Sequence, residues 1–394
     1  MTLSSGTFLS CAVGLCLLAG CEGDAAPGRF PAMSPGDDGI YHVHPGESIQ
    51  AAIEAAARDS AHKTVKVHAG TYRPSRAGQA LIWFNRSHDG VILEAEGEVV
   101  LTAQNPEIAD KSAAGYPAVV NHVIYFGDGI TGRTVVRGFR VTGANNFVTT
   151  TEGAGSVEPE PLDPMLTKGL FFYADGGGIK VFGRSYPTIE HLEIVDNYTS
   201  PCGGGISIEH AGFNQDSVTI RDCVFRNNRC QITGSAVDVL VGSSATISNC
   251  LFVGNVSNTG ENYIGGADNP YNEEHGCGAL TVFPNSQVTV DRCTFTGNWN
   301  GADDKGTGNS YTNCIFWKNT KEGGISPEHR YELDILDGAG VKGCFLGGST
   351  SDLRGTIDAA ANTLNASDPD FDDLFVPQAI EYAGVGYRPP DRQQ

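Results

Sequence analysis

Polar side chains recur at one position within a series of short apolar segments. The sequences Gly-Ile-Lys-Val at 178–181, Gly-Ile-Ser-Ile at 205–208 and Ala-Val-Asp-Val at 236–239 each place a polar residue between two apolar ones. Because successive side chains of a strand point to opposite faces, these polar residues should share one outward face. The predicted outward column comprises Lys180, Ser207, Asp238, Thr281, Asp303 and Asp334. A row of this kind supplies the base and the carboxylates that acid–base chemistry on a polymer requires.

β-Elimination is the first reaction class that fits these groups. It requires a base that removes the proton beside a uronate carboxylate and a cation that neutralises that carboxylate. The candidate catalytic residues are Lys180, Asp238, His275, Asp303, Lys305 and Arg330, with Tyr271 as an alternative base. Calcium is the expected cation, and its predicted ligands are Asp238, Asp303 and Asp304. Each of three candidates also has a simpler structural interpretation. Lys180 would be a solvated surface charge, Arg330 would form an ion pair in a turn, and His275 would donate a hydrogen bond to a loop carbonyl.

Two long insertions flank the segments that carry the column. Residues 146–175 and 256–276 bring acidic and aromatic side chains next to the same strand. Loops of this length are usually functional, and a polar floor edged with aromatic rings suits an extended sugar chain. The predicted substrate-binding residues are Tyr173, Phe182, Glu209, Tyr263 and Tyr271.

A repeated phrase positions these segments. It reads TIEHLEIVDN, TIRDCVFRNN, TISNCLFVGN, TVDRCTFTGN and SYTNCIFWKN, and the copies end at Asn197, Asn228, Asn255, Asn298 and Asn319. Short apolar alternation broken by Gly, Asn and Ser predicts strands and turns, and recurrence every few tens of residues predicts a solenoid. The asparagines should form a ladder of amides, with each Asn accepting left-handed backbone geometry, and the glycines should serve the sharp turn before the next strand.

The cysteines divide into two groups under this repeat. Those at its central position should point inward as free thiols, and they are Cys223, Cys250, Cys293, Cys314 and Cys344. One disulfide is possible among the turn residues Cys202, Cys230 and Cys277, and Cys202–Cys230 is the favoured pair. Cysteine-based metal binding is disfavoured because no Cys-x-x-Cys spacing occurs.

The opening segment completes a recognisable pattern. Residues 42–75 read as a strand, a helix with Ile49, Ile53 and Ala57 on one face, and a strand that leads to Gly-Thr-Tyr. With the repeats, this resembles right-handed parallel β-helix proteins of the pectate-lyase-like superfamily over about residues 42–348. The tail Asn-Ala-Ser-Asp-Pro-Asp-Phe resembles the segment that closes such domains. The resemblance implies an all-β, right-handed parallel β-helix, a solenoid with an N-terminal capping helix, and a substrate groove along the column.

Glycoside hydrolysis is the second reaction class. Asp303-Asp304 resembles the paired aspartates of polygalacturonase-like β-helices. The Gly-His-Gly expected after that pair is missing, its nearest likeness Glu-His-Gly-Cys-Gly precedes the pair, and the expected Arg-x-Lys is absent. Hydrolysis is therefore less favoured than elimination, and a solvated turn or a calcium ligand pair remain the other interpretations.

The N-terminus and the net charge bear on location and partners. Leu18-Ala19-Gly20-Cys21 resembles the lipobox of bacterial lipoproteins, which implies lipidation at Cys21 and a cell-envelope location, although no Lys or Arg precedes the apolar run. An ordinary signal peptide is the alternative. The net charge of −20 disfavours nucleic acid as a partner, because phosphate binding requires clustered cations.

The sequence therefore predicts four regions: a lipoprotein signal peptide at 1–20, a flexible tether at 21–40, the β-helix at 41–348 and a C-terminal capping segment at 349–394. The predicted protein is a monomeric, lipid-anchored envelope protein that binds a polysaccharide and cleaves an acidic, uronate-containing polymer by β-elimination. A non-catalytic glycan-binding or structural surface β-helix and a glycoside hydrolase with paired carboxylates are the alternatives.

Overall fold

The chain winds into stacked coils whose strands form two long parallel sheets. A computed structural model describes residues 33–152, 157–158, 161–199, 201–260, 277–323, 330–347 and 352–390. The nine-strand sheet contains one strand per coil, in chain order Gly78–Phe84, Val120–Phe126, Ile179–Phe182, Ile206–Glu209, Val237–Val239, Leu280–Val282, Ala302–Asp304, Leu333–Ile335 and Leu353–Arg354. The all-β, right-handed parallel β-helix predicted from the sequence is therefore the observed fold.

The eighteen-strand sheet supplies most of the remaining walls, and in the central coils it contributes two short strands to each coil. Its strands are Tyr41–Val43, Thr64–Tyr72, Ile92–Thr102, Val135–Arg137, Arg140–Thr142, Thr188–Glu190, Glu193–Val195, Val218–Arg221, Val224–Arg226, Ser244–Ser248, Leu251–Val253, Gln287–Asp291, Thr294–Thr296, Ser310–Thr312, Ile315–Trp317, Val341–Lys342, Phe345–Leu346 and Thr363–Leu364. Tyr198–Thr199 and Arg229–Cys230 form a small two-strand sheet beside it. Apolar side chains from the two long sheets fill one continuous core.

Helical segments are short and peripheral. The α-helices span Ile49–Arg58 and Leu170–Ala174, and 3-10 turns span Arg86–His88, Gly338–Gly340 and Ile380–Tyr382. The first helix begins where the Ser48 hydroxyl accepts the Ala51 N–H at 3.2 Å, and it buries Ile49 and Ile53 in the same core as the first coil. This is the predicted capping helix. No helix within the described ranges is long and apolar enough to cross a membrane.

The predicted thiol ladder is confirmed. Its five cysteines are fully buried and free, and the neighbouring phenylalanines Phe225, Phe252, Phe295 and Phe316 stack face to face at 4.3–4.8 Å. The favoured Cys202–Cys230 disulfide is wrong, because both residues are buried free thiols. Buried thiols act here as small apolar residues that fill the solenoid.

The asparagine ladder is also present. The Nδ2 of Asn255 donates to Oδ1 of Asn298 at 2.9 Å, the backbone N–H of Asn255 donates to the same oxygen, and the pattern repeats from Asn197 to Asn319. The expectation that these asparagines have left-handed backbone angles is wrong, because the left-handed residue lies one position earlier in the chain. The positive φ belongs to the preceding residue, for example Asn227 at 55° and Lys318 at 52°. The ladder asparagines themselves are not among the residues with positive φ.

A carboxylate ends the ladder. Glu332 accepts both the backbone and the side-chain N–H of Asn319, so it takes the place that a sixth asparagine would occupy. Burial raises the pKa of Glu332 to about 7. The amide ladder therefore terminates on a buried acid rather than on solvent.

Candidate functional site

The outward column forms in the register that strand alternation predicts. Lys180 pairs with Ser207, which pairs with Asp238. The pairing continues through Thr281 and Asp303 to Asp334, in the nine-strand sheet. The flanking residues Val181, Ile208, Val239 and Val282 are fully buried in the solenoid core. Two residues that sequence reasoning left out extend the column, since Tyr125 pairs with Lys180 and Arg354 pairs with Asp334.

Most of the column is covered rather than open. Lys180, Ser207, Asp238, Thr281 and Asp303 are all fully buried, so the open groove expected from the sequence is absent along this stretch. The cause is a glycine four residues before the outward residue in the first three coils. Gly176, Gly203 and Gly234 have φ of 83°, 68° and 63° and fold the preceding turn over the strand.

The approach of this turn leaves no room for a side chain. A Cβ on Gly203 would lie 2.7 Å from the Cβ of Ser207, and one on Gly176 would lie 3.0 Å from the Cα of Lys180. The turns at Gly176, Gly203 and Gly234 therefore cover Lys180, Ser207 and Asp238 with backbone.

Lys180 is held by three hydrogen-bond partners. Its Nζ donates to Glu209 at 2.6 Å, to the Phe171 carbonyl at 3.0 Å and to Ser207 at 3.4 Å. These bonds use all three N–H groups and leave no lone pair. Lys180 therefore cannot act as the predicted base in this arrangement, and Glu209, predicted to bind substrate, is its ion partner.

Three further ionisable groups surround Lys180. Burial raises the pKa of Asp175 well above its usual value, and burial raises that of Asp238 to about 7. Neither carboxylate oxygen of Asp238 has a hydrogen-bond donor among the described residues, and the nearby Lys180 and Thr233 only partly offset its burial. Burial, reinforced by the Lys180 charge, lowers the pKa of His122 to about 3. The neutral His122 donates from Nδ1 to the Gly176 carbonyl at 2.8 Å. Sequence reasoning missed His122, which lies three residues before Tyr125 in strand Val120–Phe126 and is therefore out of register with the column.

A second group of ionisable residues lies at the far end of the column, and we call Asp303, Lys305, Tyr331, Asp334 and Arg354 the Asp303 cluster. The Tyr331 hydroxyl donates to Asp303 Oδ2 at 2.7 Å, and Lys305 Nζ lies 3.6 Å from Oδ1 of the same carboxyl. Lys305 also pairs with Asp334 at 2.9 Å, and Arg354 lies 3.7 Å from Asp334.

Charge and exposure distinguish the Asp303 cluster from the centre of the column. Burial raises the pKa of Asp303 to about 7, and burial raises that of Tyr331 well above 10, so Tyr331 keeps its proton and donates it. The side chains of Lys305, Asp334 and Arg354 remain 16, 13 and 32% exposed. The Asp303 cluster therefore combines a carboxyl that titrates near neutrality with cations that solvent can reach.

Asp304 does not belong to the Asp303 cluster. It pairs in register with Val282 and Ile335 on the inward side of the coil, and its carboxylate accepts hydrogen bonds from Asn309 at 2.8 Å and Tyr311 at 3.0 Å. Asp303 and Asp304 thus face opposite sides of one strand. The paired-carboxylate arrangement that hydrolysis requires is absent from these two residues.

The predicted calcium ligands do not meet at one point. Asp238 and Asp303 are separated by the strand of Thr281, which places them about 10 Å apart at the usual strand spacing. Calcium requires oxygens within about 2.6 Å of the ion, so one ion cannot bind both carboxylates. Over the described ranges, no group of three or more His, Cys, Asp or Glu side chains is arranged to hold a metal ion.

The remaining predicted residues contact a turn or pack against other aromatic rings, or they lie outside the described part. Arg330 lies 3.8 Å from the ring centre of Trp299 and donates to the Thr320 carbonyl at 2.9 Å, so its contacts are with a turn. Phe182 is buried against Phe172 at 4.7 Å and cannot stack on a sugar, and Tyr173 packs edge-on against Phe172 at 4.9 Å. The described residues do not include Cys21, Tyr263, Tyr271 and His275.

A family model agrees with the architecture. Residues 121–274 match a family described as the right handed beta helix region. Among solved structures, the chain is similar to the pectate lyase Pel9A, with 16% identity, a TM-score of 0.42, and coverage of 85% of this chain and 83% of that chain. No curated protein matches the chain in sequence.

Proposed function

We propose that the chain binds an acidic, uronate-containing polysaccharide and cleaves it by β-elimination at the Asp303 cluster. The observation that carries this proposal is the position of Asp303, whose pKa is raised to about 7 by burial, directly beneath the partly exposed Lys305. A base that titrates near the working pH is suited to proton abstraction, and a nearby cation is suited to neutralise a sugar carboxylate.

Each residue of the Asp303 cluster has a role in the proposed reaction. Lys305 and Arg354 bind the uronate carboxylate and make the adjacent C–H more acidic. The Asp303 carboxylate takes that proton, the electron pair forms the C4=C5 double bond, and the C4–O bond to the next sugar breaks. The departing oxygen takes a proton from the Lys305 ammonium or from water. Tyr331 orients Asp303 through its 2.7 Å hydrogen bond.

Access to Asp303 depends on Lys305. The 3.6 Å contact between Lys305 and Asp303 is longer than the 2.9 Å contact between Lys305 and Asp334. A sugar carboxylate that pairs with Lys305 would draw its ammonium away from Asp303 and leave Asp303 as the free base. Binding of the substrate therefore prepares the base.

The test is a polymer panel of alginate, pectate, glycosaminoglycans and neutral glycans, each with calcium and with chelator. Ultraviolet absorbance reports unsaturated uronyl ends, and a parallel assay reports reducing ends. We expect absorbance on an acidic polymer, and we expect its loss in Asp303→Asn while Asp373→Asn, an exposed carboxyl of the C-terminal segment, retains full activity. Reducing ends without absorbance, or full activity in Asp303→Asn, would contradict the proposal.

Non-catalytic glycan binding is the second candidate. It is favoured by the complete burial of Asp238 and Asp303 and by the three bonds that hold Lys180. Retention of the chain on an immobilised acidic polymer without new ends of either kind would establish this candidate instead. The calcium expectation stays a prediction, and the chelator arm of the same panel tests it.

We also propose that the chain is exported and anchored to a bacterial membrane by a lipid on Cys21, as the Leu-Ala-Gly-Cys sequence indicates. This location would place the β-helix at the cell envelope, where extended polysaccharides occur. It rests on the sequence alone.

A further inference from the structure

Two histidines face each other on the outer surface of the first two coils. His42 lies in strand Tyr41–Val43 and His68 in the adjacent strand Thr64–Tyr72, whose apolar residues Val65 and Val67 point into the core. The Nδ1 of His42 lies 2.9 Å from the Nε2 of His68. This pair lies on the eighteen-strand sheet, whereas the polar column belongs to the nine-strand sheet.

The other ring nitrogen of each histidine faces a carboxylate. His42 Nε2 lies 3.0 Å from Asp38 Oδ2, and His68 Nδ1 lies 2.7 Å from Glu96 Oε2. An ionised carboxylate only accepts hydrogen bonds, so these two outer nitrogens carry the protons. In neutral imidazoles the inner nitrogens then present lone pairs to each other across 2.9 Å. Only a cation between them, either a proton or a metal ion, makes that contact favourable.

The same arrangement surrounds histidines that bind metals. A metal-bound imidazole usually donates its second N–H to a carboxylate, which fixes the tautomer and directs the lone pair at the ion. Asp38 and Glu96 perform this function on both sides of the pair. The histidine side chains are 31 and 25% exposed, so an ion can reach the gap and water can complete its coordination.

We propose that His42 and His68 bind a divalent transition-metal ion between Nδ1 and Nε2. An ion about 2.0–2.1 Å from both nitrogens would subtend an angle of about 90° at the observed 2.9 Å separation, so each ring must turn until its lone pair points at the ion rather than at the other ring, whose centre is 5.1 Å away. That angle suits the tetragonal preference of Cu²⁺ or Ni²⁺, whereas tetrahedral Zn²⁺ would require the nitrogens to move to about 3.3 Å apart. The site has two protein ligands, so it is exchangeable rather than structural.

The charges around the pair favour a cation. The carboxylates of Asp38, Glu94 and Glu96 face two cations, the ammonium of Lys66, which lies 3.4 Å from Glu96 and 3.8 Å from Glu94, and the guanidinium of Arg137, which pairs with Glu94, so one negative charge is left over. His44 stacks on His68 with ring centres 4.1 Å apart and planes within 7°, which holds the His68 ring in its plane without directing a third nitrogen at the gap.

Calorimetric titration of the full chain, free of any histidine tag, with NiCl₂ and with CuSO₄ tests the site. We expect one ion per chain, with Zn²⁺ weaker than Cu²⁺. His42→Ala and His68→Ala should each weaken binding about tenfold or more. The matched control is His191→Ala, an exposed histidine near Asp222 on another coil, and it should bind normally.

Several outcomes would overturn the proposal. They are an affinity weaker than millimolar in the unmodified chain, unchanged binding in both alanine variants, or nitrogen NMR that shows a shared proton which neither metal displaces. His68→Gln keeps a hydrogen-bonding side chain but removes the imidazole. If this variant melts at the same temperature as the unmodified chain, weaker metal binding in it reflects loss of the imidazole and not loss of the fold. The Cu²⁺ electron paramagnetic resonance spectrum should show coupling to two imidazole nitrogens, which a structural role alone would not produce.

Discussion

Replacement of Asp238 by Asn removes a buried charge without changing the shape of the side chain. Asp238 is fully buried, and neither of its oxygens has a hydrogen-bond donor among the described residues. Burial raises the pKa of Asp238 from 3.8 to about 7. A carboxyl whose pKa is higher in the folded chain stabilises the fold only while it is protonated. Its contribution is complete below about pH 3.8 and is lost as the pH rises through about 7.

The magnitude follows from linkage at 1.36 kcal/mol per pKa unit. With these two pKa values, ionisation of Asp238 lowers the free energy of unfolding by about 2 kcal/mol at pH 5 and by about 4 kcal/mol at pH 8. Asn cannot ionise, so the stability of Asp238→Asn relative to the unmodified chain should rise by about 2–3 kcal/mol between these two pH values. This difference is independent of any constant cost of the unpaired amide.

Urea unfolding at pH 5 and pH 8, followed by circular dichroism, measures this difference. The buried acids Asp303 and Glu332 titrate in both proteins and cancel, whereas Asp175, whose pKa the Asp238 charge raises, ionises more easily in the variant and adds to the same difference. Asp373→Asn, at an exposed position, should show the same gap to the unmodified chain at both pH values. A gap for Asp238→Asn that stays constant within about 0.5 kcal/mol would refute a buried carboxyl with a raised pKa.

Three further predictions concern the cover of the column, the core and the anchor. Gly203→Ala should destabilise the fold by about 2–4 kcal/mol, because the new Cβ would meet Ser207 and because the φ of Gly203 is 68°. The control is Gly212→Ala, since Gly212 has a φ of 90° but open space where a Cβ would lie. An equal loss of stability in the two variants would disprove the steric cover. Cys250→Ala should lower the free energy of unfolding by about 1–2 kcal/mol through a small cavity while polymer cleavage stays the same, and an unchanged melting temperature would contradict the inward ladder. Cys21→Ser should move the protein from the membrane fraction to the soluble fraction, and continued membrane association would exclude the lipid anchor.

Strand alternation explains what the sequence could predict of the column. A period of two residues assigns each side chain to a face, so the pairing of Lys180 with Ser207 and of Asp303 with Asp334 followed from local pattern alone. The same rule separates Asp303 from Asp304, and its application to that strand would have excluded the carboxylate pair in advance.

The burial of the column could not be read from the pattern, because it depends on backbone angles outside the strands. Whether Gly203 folds its turn over Ser207 or away from it is decided by its φ and by the neighbouring coils. Contacts between distant residues were equally hidden. Tyr331 reaches Asp303 from the following coil, 28 positions later in the chain, and no local signal connects the two.

The nature of the cover determines where chemistry can occur. Lys180, Ser207 and Asp238 lie beneath the backbone of glycine turns, and backbone can uncover them only if a whole turn rearranges. The residue four positions before Asp303 is Trp299 rather than glycine, and Asp303 is instead contacted by the side chains of Tyr331 and Lys305.

Side chains at a partly exposed position change rotamer on the picosecond to nanosecond timescale, so a rotation of Lys305 removes one of the side chains that contact Asp303 without any change of fold. Asp238 and Asp303 have similarly raised pKa values, yet only Asp303 lies where a substrate could displace its cover. The physical distinction between the two carboxyls is therefore accessibility rather than acidity. It is the reason to place the reaction at the end of the column and not at its centre.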